Sequence, residues 1–168
     1  MRWTRRTVLV LAVVAAGLST HTFAAGTAPR AAKVTPSGVG GVRLGATFAA
    51  VRGAGLVGRQ RRGCPLDGVP SAALRAPLRG FVDLSRTRPR RVTRIFVTKG
   101  ATARGVRRGS TLRAIRRAFP RARVVGSPVA GATLVRIPRN GGGRIEFLLS
   151  SRARRVIGIG VPAVPFCE

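Results

Sequence analysis

Acidic side chains are nearly missing from this sequence of 168 residues: Asp67, Asp83, Glu146 and Glu168 stand against 32 Lys and Arg. Tyrosine is absent, and histidine and tryptophan occur once each, as His21 and Trp3. Both lie in an N-terminal stretch that reads as an export leader, so the processed chain has neither. This inventory disfavours catalysis. No His remains as a general base, and the four carboxylates fall in no hydrolytic motif. Cysteine is equally sparse. Cys64 and Cys167 lack the close spacing and extra ligands of a metal or redox site, and in an exported chain an isolated pair reads as a disulfide rather than as a nucleophile. Closing a loop of about 100 residues would stabilise by roughly 4–5 kcal/mol if the geometry is unstrained. The sequence therefore predicts no enzyme, no metal and no cofactor.

Long apolar runs are also scarce. The one at the start, Val8 to Leu18, follows the basic residues Arg2, Arg5 and Arg6. At about eleven residues it is too short to span a bilayer and suits the core of a signal peptide. Small residues follow around Thr22–Gly26, so 1–25 is read as a signal peptide and 26–40 as an N-terminal linker. About 144 residues would remain, enough for one ordinary domain. The protein is expected to be secreted or associated with the cell envelope after cleavage.

What is present in excess is arginine, since only Lys33 and Lys99 are lysines. The formal net charge is +28, and removal of the leader would lower it by three. A GC-rich genome explains arginine over lysine but not the depletion of acids, which points to an anionic environment or partner. Disorder is not expected, because hydrophobic residues make up 45% of the chain.

Sliding the chain against itself by 64 residues brings two blocks into register. Gly41-Val-Arg-Leu-Gly-Ala-Thr-Phe-Ala-Ala-Val-Arg52 lies over Gly105-Val-Arg-Arg-Gly-Ser-Thr-Leu-Arg-Ala-Ile-Arg116, with seven of twelve pairs identical. The same shift lays 90–97 over 154–161, with five of eight identical. Composition bias would not hold two separated blocks in one register, so a duplication is predicted. Repeat unit 1 spans 41–98, a connector 99–104, repeat unit 2 105–161 and a C-terminal tail 162–168.

In each unit, Gly45 or Gly109 suits a turn with positive φ, and Thr47 or Thr111 falls where a helix N-cap belongs. The residues that follow have helical spacing (Phe48 and Val51; Leu112, Ile115 and Phe119), and Pro120 stops the second helix. Strands are predicted over Gly80–Ser85, Arg91–Thr98, Thr133–Ile137, Arg144–Ser150 and Arg155–Val161, with Val124-Val125 a weaker candidate. Pro138–Gly143 reads as a hairpin turn, because it lacks the Lys and following helix of a phosphate loop. Residues 63–78 read as a loop insertion. At a shift of 64, Asp83 falls opposite Phe147. Because an unpaired buried carboxylate is costly, a one-residue slip that makes Leu84 the equivalent is preferred over burial of Asp83 against an arginine. The expected fold class is α+β: two tandem units of a short helix followed by about three antiparallel strands, the helices packed on one face of the sheet.

This order of elements, with Gly41-Val42-Arg43-Leu44-Gly45-Ala46-Thr47 and Gly105-Val106-Arg107-Arg108-Gly109-Ser110-Thr111 opening the units, resembles the tandem helix-plus-sheet fold of β-lactamase inhibitory protein and related small envelope lipoproteins. The resemblance covers most of the mature chain through six or seven positions per unit, and what it implies is the fold. Ala50 and Ala114 stand where that family often has a capping-box Glu. The aromatic contact surface of the inhibitor has no counterpart in a mature chain without Tyr or Trp.

Two groups of arginines repeat with the units. Arg88, Arg90 and Arg91 match Arg152, Arg154 and Arg155 at the same shift, each group in the turn before the last strand of its unit. Paired basic turns of this kind can bind phosphate or carboxylate groups, so these six are the candidate anion-binding residues. The function they suggest is a non-enzymatic basic binding protein. Its partner would be an anionic cell-envelope polymer, lipid headgroups or an acidic protein surface, and no small-molecule substrate is inferred. Two rivals remain open. An exported cationic nucleic-acid-binding or toxic protein lacks the aromatic residues and motifs expected of it, and a secreted enzyme inhibitor would need a rigid aromatic face.

Overall fold

The computed structural model describes residues 31–63, 68–126, 130–138 and 143–166. The leader, Cys64 and Cys167, Asp67, Glu168 and residues 139–142 of the Pro138–Gly143 turn lie outside the described residues.

Glycine and threonine start both helices as their spacing predicts. Gly45 has φ 79° and Gly109 φ 86°, a left-handed backbone that a Cβ would disfavour. Two residues on, the Thr47 and Thr111 hydroxyls accept hydrogen bonds from the backbone N–H of Ala50 and Ala114, each at 3.3 Å. The helices that follow are α1 (Phe48–Gly53) and α2 (Leu112–Ala118). Neither has an acidic residue in its first turn, so the hydroxyl is the only side-chain cap. Thr111→Ala is accordingly expected to lower the unfolding free energy by about 1 kcal/mol, read as a shift in urea midpoint, with Thr111→Ser restoring most of it.

Twelve strands follow in chain order. The first half holds β1 (Ala32–Thr35), β2 (Gly38–Val39), β3 (Val42–Arg43), β4 (Val57–Arg62), β5 (Pro70–Leu74), β6 (Arg79–Leu84) and β7 (Val92–Lys99). The second holds β8 (Ala101–Thr102), β9 (Arg123–Val125), β10 (Ala132–Ile137), β11 (Ile145–Ser150) and β12 (Val156–Val161). Eight of them form one antiparallel sheet in the order β4-β5-β6-β7-β12-β11-β10-β9, and the other four a small sheet, β3-β2-β1-β8, in which β1 and β8 are parallel.

The large sheet is symmetric about its middle. β7 and β12 pair antiparallel, with Val97 opposite Ile159, Phe96 opposite Gly160 and Ile95 opposite Val161. A shift of 64 exchanges the first and last of these pairs, which places a local two-fold axis at Phe96–Gly160. Contacts at the helix starts repeat in the same register. Thr47 bridges Arg91 as Thr111 bridges Arg155, and the Gly45 and Gly109 N–H groups donate to the Val92 and Val156 carbonyls, each at 2.8 Å.

The α+β expectation, with helices covering one face of the sheet, is corrected: the described residues form a β-rich fold, two sheets with only two helices. The physical reason is size. Eight strands at about 4.8 Å spacing make a sheet roughly 38 Å wide, whereas helices of 6 and 7 residues are about 10 Å long. Each helix buries one side chain fully, Val51 or Ile115. The small sheet adds Val34, Val39, Val42 and Ala101 to the same hydrophobic cluster as Val82, Ile95, Phe147 and Ile159 of the large one. Residues 26–40, read as a linker, therefore contribute β1 and β2 to the core, and the 99–104 connector contributes β8.

Each half of the large sheet supplies four strands rather than about three. β5 lies in the segment read as a loop insertion, and β4 was not predicted. Asp83 is buried, 5% exposed, and Arg94 directly opposite on β7 donates Nε to its carboxylate at 2.8 Å. Burial against an arginine, set aside in the sequence reading, is thus what occurs. The slip exists but runs the other way: Val82 faces Ile95 as Phe147 faces Ile159, so Val82 and not Leu84 is the equivalent of Phe147.

Candidate functional site

The two arginine turns belong to β6–β7 and β11–β12, and antiparallel pairing of β7 with β12 sends them to opposite ends of the sheet. Arg91 and Arg155 each lie about five residues from the central Phe96–Gly160 pair, in opposite directions, so the turns are roughly 30 Å apart along the strands. They do not form one site.

Within each turn the arginines divide into two kinds. Arg91 Nη1 donates to the Gly45 carbonyl and Arg155 Nη1 to the Gly109 carbonyl, both at 2.9 Å. These guanidiniums tie the last strand of a unit to the glycine turn that begins it. Arg90 Nη1 donates to the carbonyls of Ser85, at 2.6 Å, and Arg86, closing its own loop. Arg88, Arg152 and Arg154 are exposed and make no hydrogen bond or ion pair among the described residues. Arg154 has φ 47°, a left-handed backbone that glycine would hold more easily. Three of the six candidate residues are thus committed to the fold, and three point their charge outward.

The acids complete the electrostatic picture. Asp83 pairs with Arg94 as described. Glu146, 1% exposed, accepts from Arg136 Nε at 2.8 Å and from the Val164 N–H at 3.0 Å, with Arg144 Nε at 3.6 Å. Every exposed ionisable side chain among the described residues is consequently Arg or Lys.

A second feature escaped the sequence reading. A cleft of about 810 Å³ opens between the β1–β2 turn, the end of α2 and the facing ends of β10 and β11. Lys33, Arg104, Arg121 and Arg144 line it without any carboxylate, together with Val34, Phe119, Ile137 and Ile145. One wall is tight. A Cβ on Gly143 would lie 2.7 Å from Pro36 Cβ, so the start of β11 reaches the β1–β2 turn only as glycine. Arg104 has φ 46° and holds its guanidinium 5.3 Å above the centre of the Phe119 ring, a cation–π contact. No sequence signal marks these cations as a group, because they come from four separate segments.

Among the described residues no three His, Cys, Asp or Glu gather, and no helix is long and apolar enough to cross a membrane. Comparison with protein-family models, curated proteins and solved structures returns no match, and the resemblance drawn from the order of elements and the glycine–threonine motifs rests on the sequence alone.

Proposed function

We propose that the protein is an exported, non-catalytic binding protein whose partner is a polyanionic surface at the cell envelope, engaged through distributed arginine charge. The observation that carries this reading is the exclusively cationic exposed surface of the described residues. The two acids among the described residues, Asp83 and Glu146, are both buried against arginines and so do not balance the surface charge. Such a surface attracts polyanions by long-range electrostatics and needs no shaped site. Separation of the basic turns to opposite ends supports contact spread over the surface rather than focused on one turn.

The test is co-sedimentation with phosphatidylglycerol vesicles over a range of salt. Binding should be strong at low salt and collapse toward 0.5 M (a screening length of about 4 Å), because each anionic contact releases counterions. Phosphatidylcholine vesicles should retain nothing. Arg88→Gln/Arg152→Gln/Arg154→Gln and the charge-matched Arg113→Gln/Arg116→Gln/Arg117→Gln should lose affinity about equally. Binding that ignores salt, or that is as strong on neutral vesicles, would overturn the reading. A loss confined to the first variant would replace distributed contact with contact through the two basic turns.

A further inference from the structure

We infer that the cleft between the β1–β2 turn, the end of α2 and the β10–β11 ends is a binding site for a single-chain anionic amphiphile, an acid head group on one alkyl chain. This goes beyond distributed surface contact and does not depend on it. The cleft volume, about 810 Å³, falls in the range of small-molecule sites. Its lining has two parts that call for different chemistry. Lys33, Arg104 and Arg121 are exposed and no carboxylate lines the cleft among the described residues, whereas Arg144 Nε lies 3.6 Å from the buried Glu146 carboxylate; the first three favour a carboxylate, sulfate or phosphate group. Ile137 with Pro36, Pro120 and Pro138, over the buried Val34, Phe119 and Ile145, offers apolar surface that a purely polar anion leaves wet. A neutral apolar ligand would in turn bury cations without partners, which is costly. Only a ligand with both parts satisfies both.

Nucleic acid fits poorly. Among the described residues Phe119 is the only aromatic side chain lining the cleft; it is buried and the Arg104 guanidinium lies over its ring, so it offers a base little to stack on. The same contact, with the 3.5 Å hydrogen bond from Arg104 Nη1 to the Ala118 carbonyl, holds one cation in place before a ligand arrives. The left-handed backbone of Arg104 is unfavourable by itself for a residue with a Cβ, and such conformations persist where the surroundings hold them. Arg144 is partly committed, since its Nε also donates to the Pro162 carbonyl at 3.1 Å, which leaves Lys33, Arg104 and Arg121 as the head-group cations.

The experiment is calorimetric titration of the full chain with dodecanoate below its micelle concentration. One ligand per chain is expected. Acetate should bind too weakly to detect, because each buried methylene contributes about 0.8 kcal/mol, and dodecyltrimethylammonium, with the opposite charge, should not bind. Lys33→Gln/Arg104→Gln/Arg121→Gln should weaken dodecanoate binding by about ten-fold or more, the scale of lost charge-assisted hydrogen bonds. The charge-matched Arg88→Gln/Arg152→Gln/Arg154→Gln should stay within about two-fold of the parent, well below the effect of one lost hydrogen bond. Ile137→Trp, which keeps every charge and crowds the apolar wall of the cleft, should change dodecanoate affinity markedly while the thermal midpoint shows the chain still folded. Several ligands per chain, equal losses in the two charge-matched variants, or unchanged binding to the Ile137→Trp protein would each overturn the site. On phosphatidylglycerol vesicles the two triple variants should lose affinity equally, so failure of the cleft and failure of the surface reading give different results.

Discussion

Replacing Phe147 by alanine is expected to lower the unfolding free energy by about 3–5 kcal/mol, the range for a buried aromatic truncated where the core cannot collapse. Phe147 is fully buried on a central strand, opposite Val135 on β10 and Ile159 on β12, so strands on both sides fix the walls of the cavity that would form. Its ring centroid lies 5.7 Å from that of Phe119, which is the residue under Arg104 at the cleft. The truncation should therefore act twice. Denaturant titration should show a much lower midpoint, and dodecanoate affinity should fall because Phe119 loses the ring that backs it. Val82, the counterpart of Phe147 across the local axis, is also fully buried. Val82→Ala removes less volume and should cost about 1–3 kcal/mol.

Glu146→Ala is expected to cost about 2–4 kcal/mol through the C-terminal tail. Its carboxylate is the partner of the buried Val164 N–H, and an orphaned buried donor costs about 1–3 kcal/mol. The pair with Arg136 adds less than a fully buried bridge would, because that side chain is 40% exposed and water screens it. Gly160 lies beneath the same segment: a Cβ there would sit 2.5 Å from the Val164 nitrogen and 2.6 Å from the Ala163 carbonyl carbon. Gly160→Val should consequently lift the tail by steric overlap, as Glu146→Ala does by loss of its acceptor. Amide hydrogen exchange at Val164 should accelerate in both variants. Glu146→Gln, which keeps one acceptor oxygen, should show about half the stability loss, since the charge but not the hydrogen bond to Val164 is removed. Unchanged exchange in both Glu146→Ala and Gly160→Val would mean the tail is held by something else.

The elements visible in the sequence are those whose side chains carry a periodic apolar signal or a fixed backbone requirement. Gly45 with Thr47 and Gly109 with Thr111 marked both helix starts, because positive φ and an N-cap demand particular residue types. β6, β7, β10, β11 and β12 were found within one or two residues because each is a short, largely apolar run bounded by turn residues, and β7 also alternates buried with more exposed positions. β4 left no such trace. Of its six residues only Val57 is buried, and an edge strand rich in arginine is held by backbone bonds to β5 rather than by an apolar face. β5 was hidden by the prolines around it, and β1, β2 and β8 are too short to show a period.

By itself, then, the sequence determined the excess of positive charge, the duplicated glycine–threonine helix starts and half of the twelve strands described, because each of these is a property of neighbouring residues. The tertiary structure alone decided that the fold is β-rich, that Asp83 and Glu146 are buried against arginines, that the two basic turns point to opposite ends, and that Lys33, Arg104, Arg121 and Arg144 share one cleft. All four depend on which strand pairs with which and in what direction. The antiparallel join of β7 to β12 fixes the position of every distant pair at once, and no local pattern in the chain encodes that join.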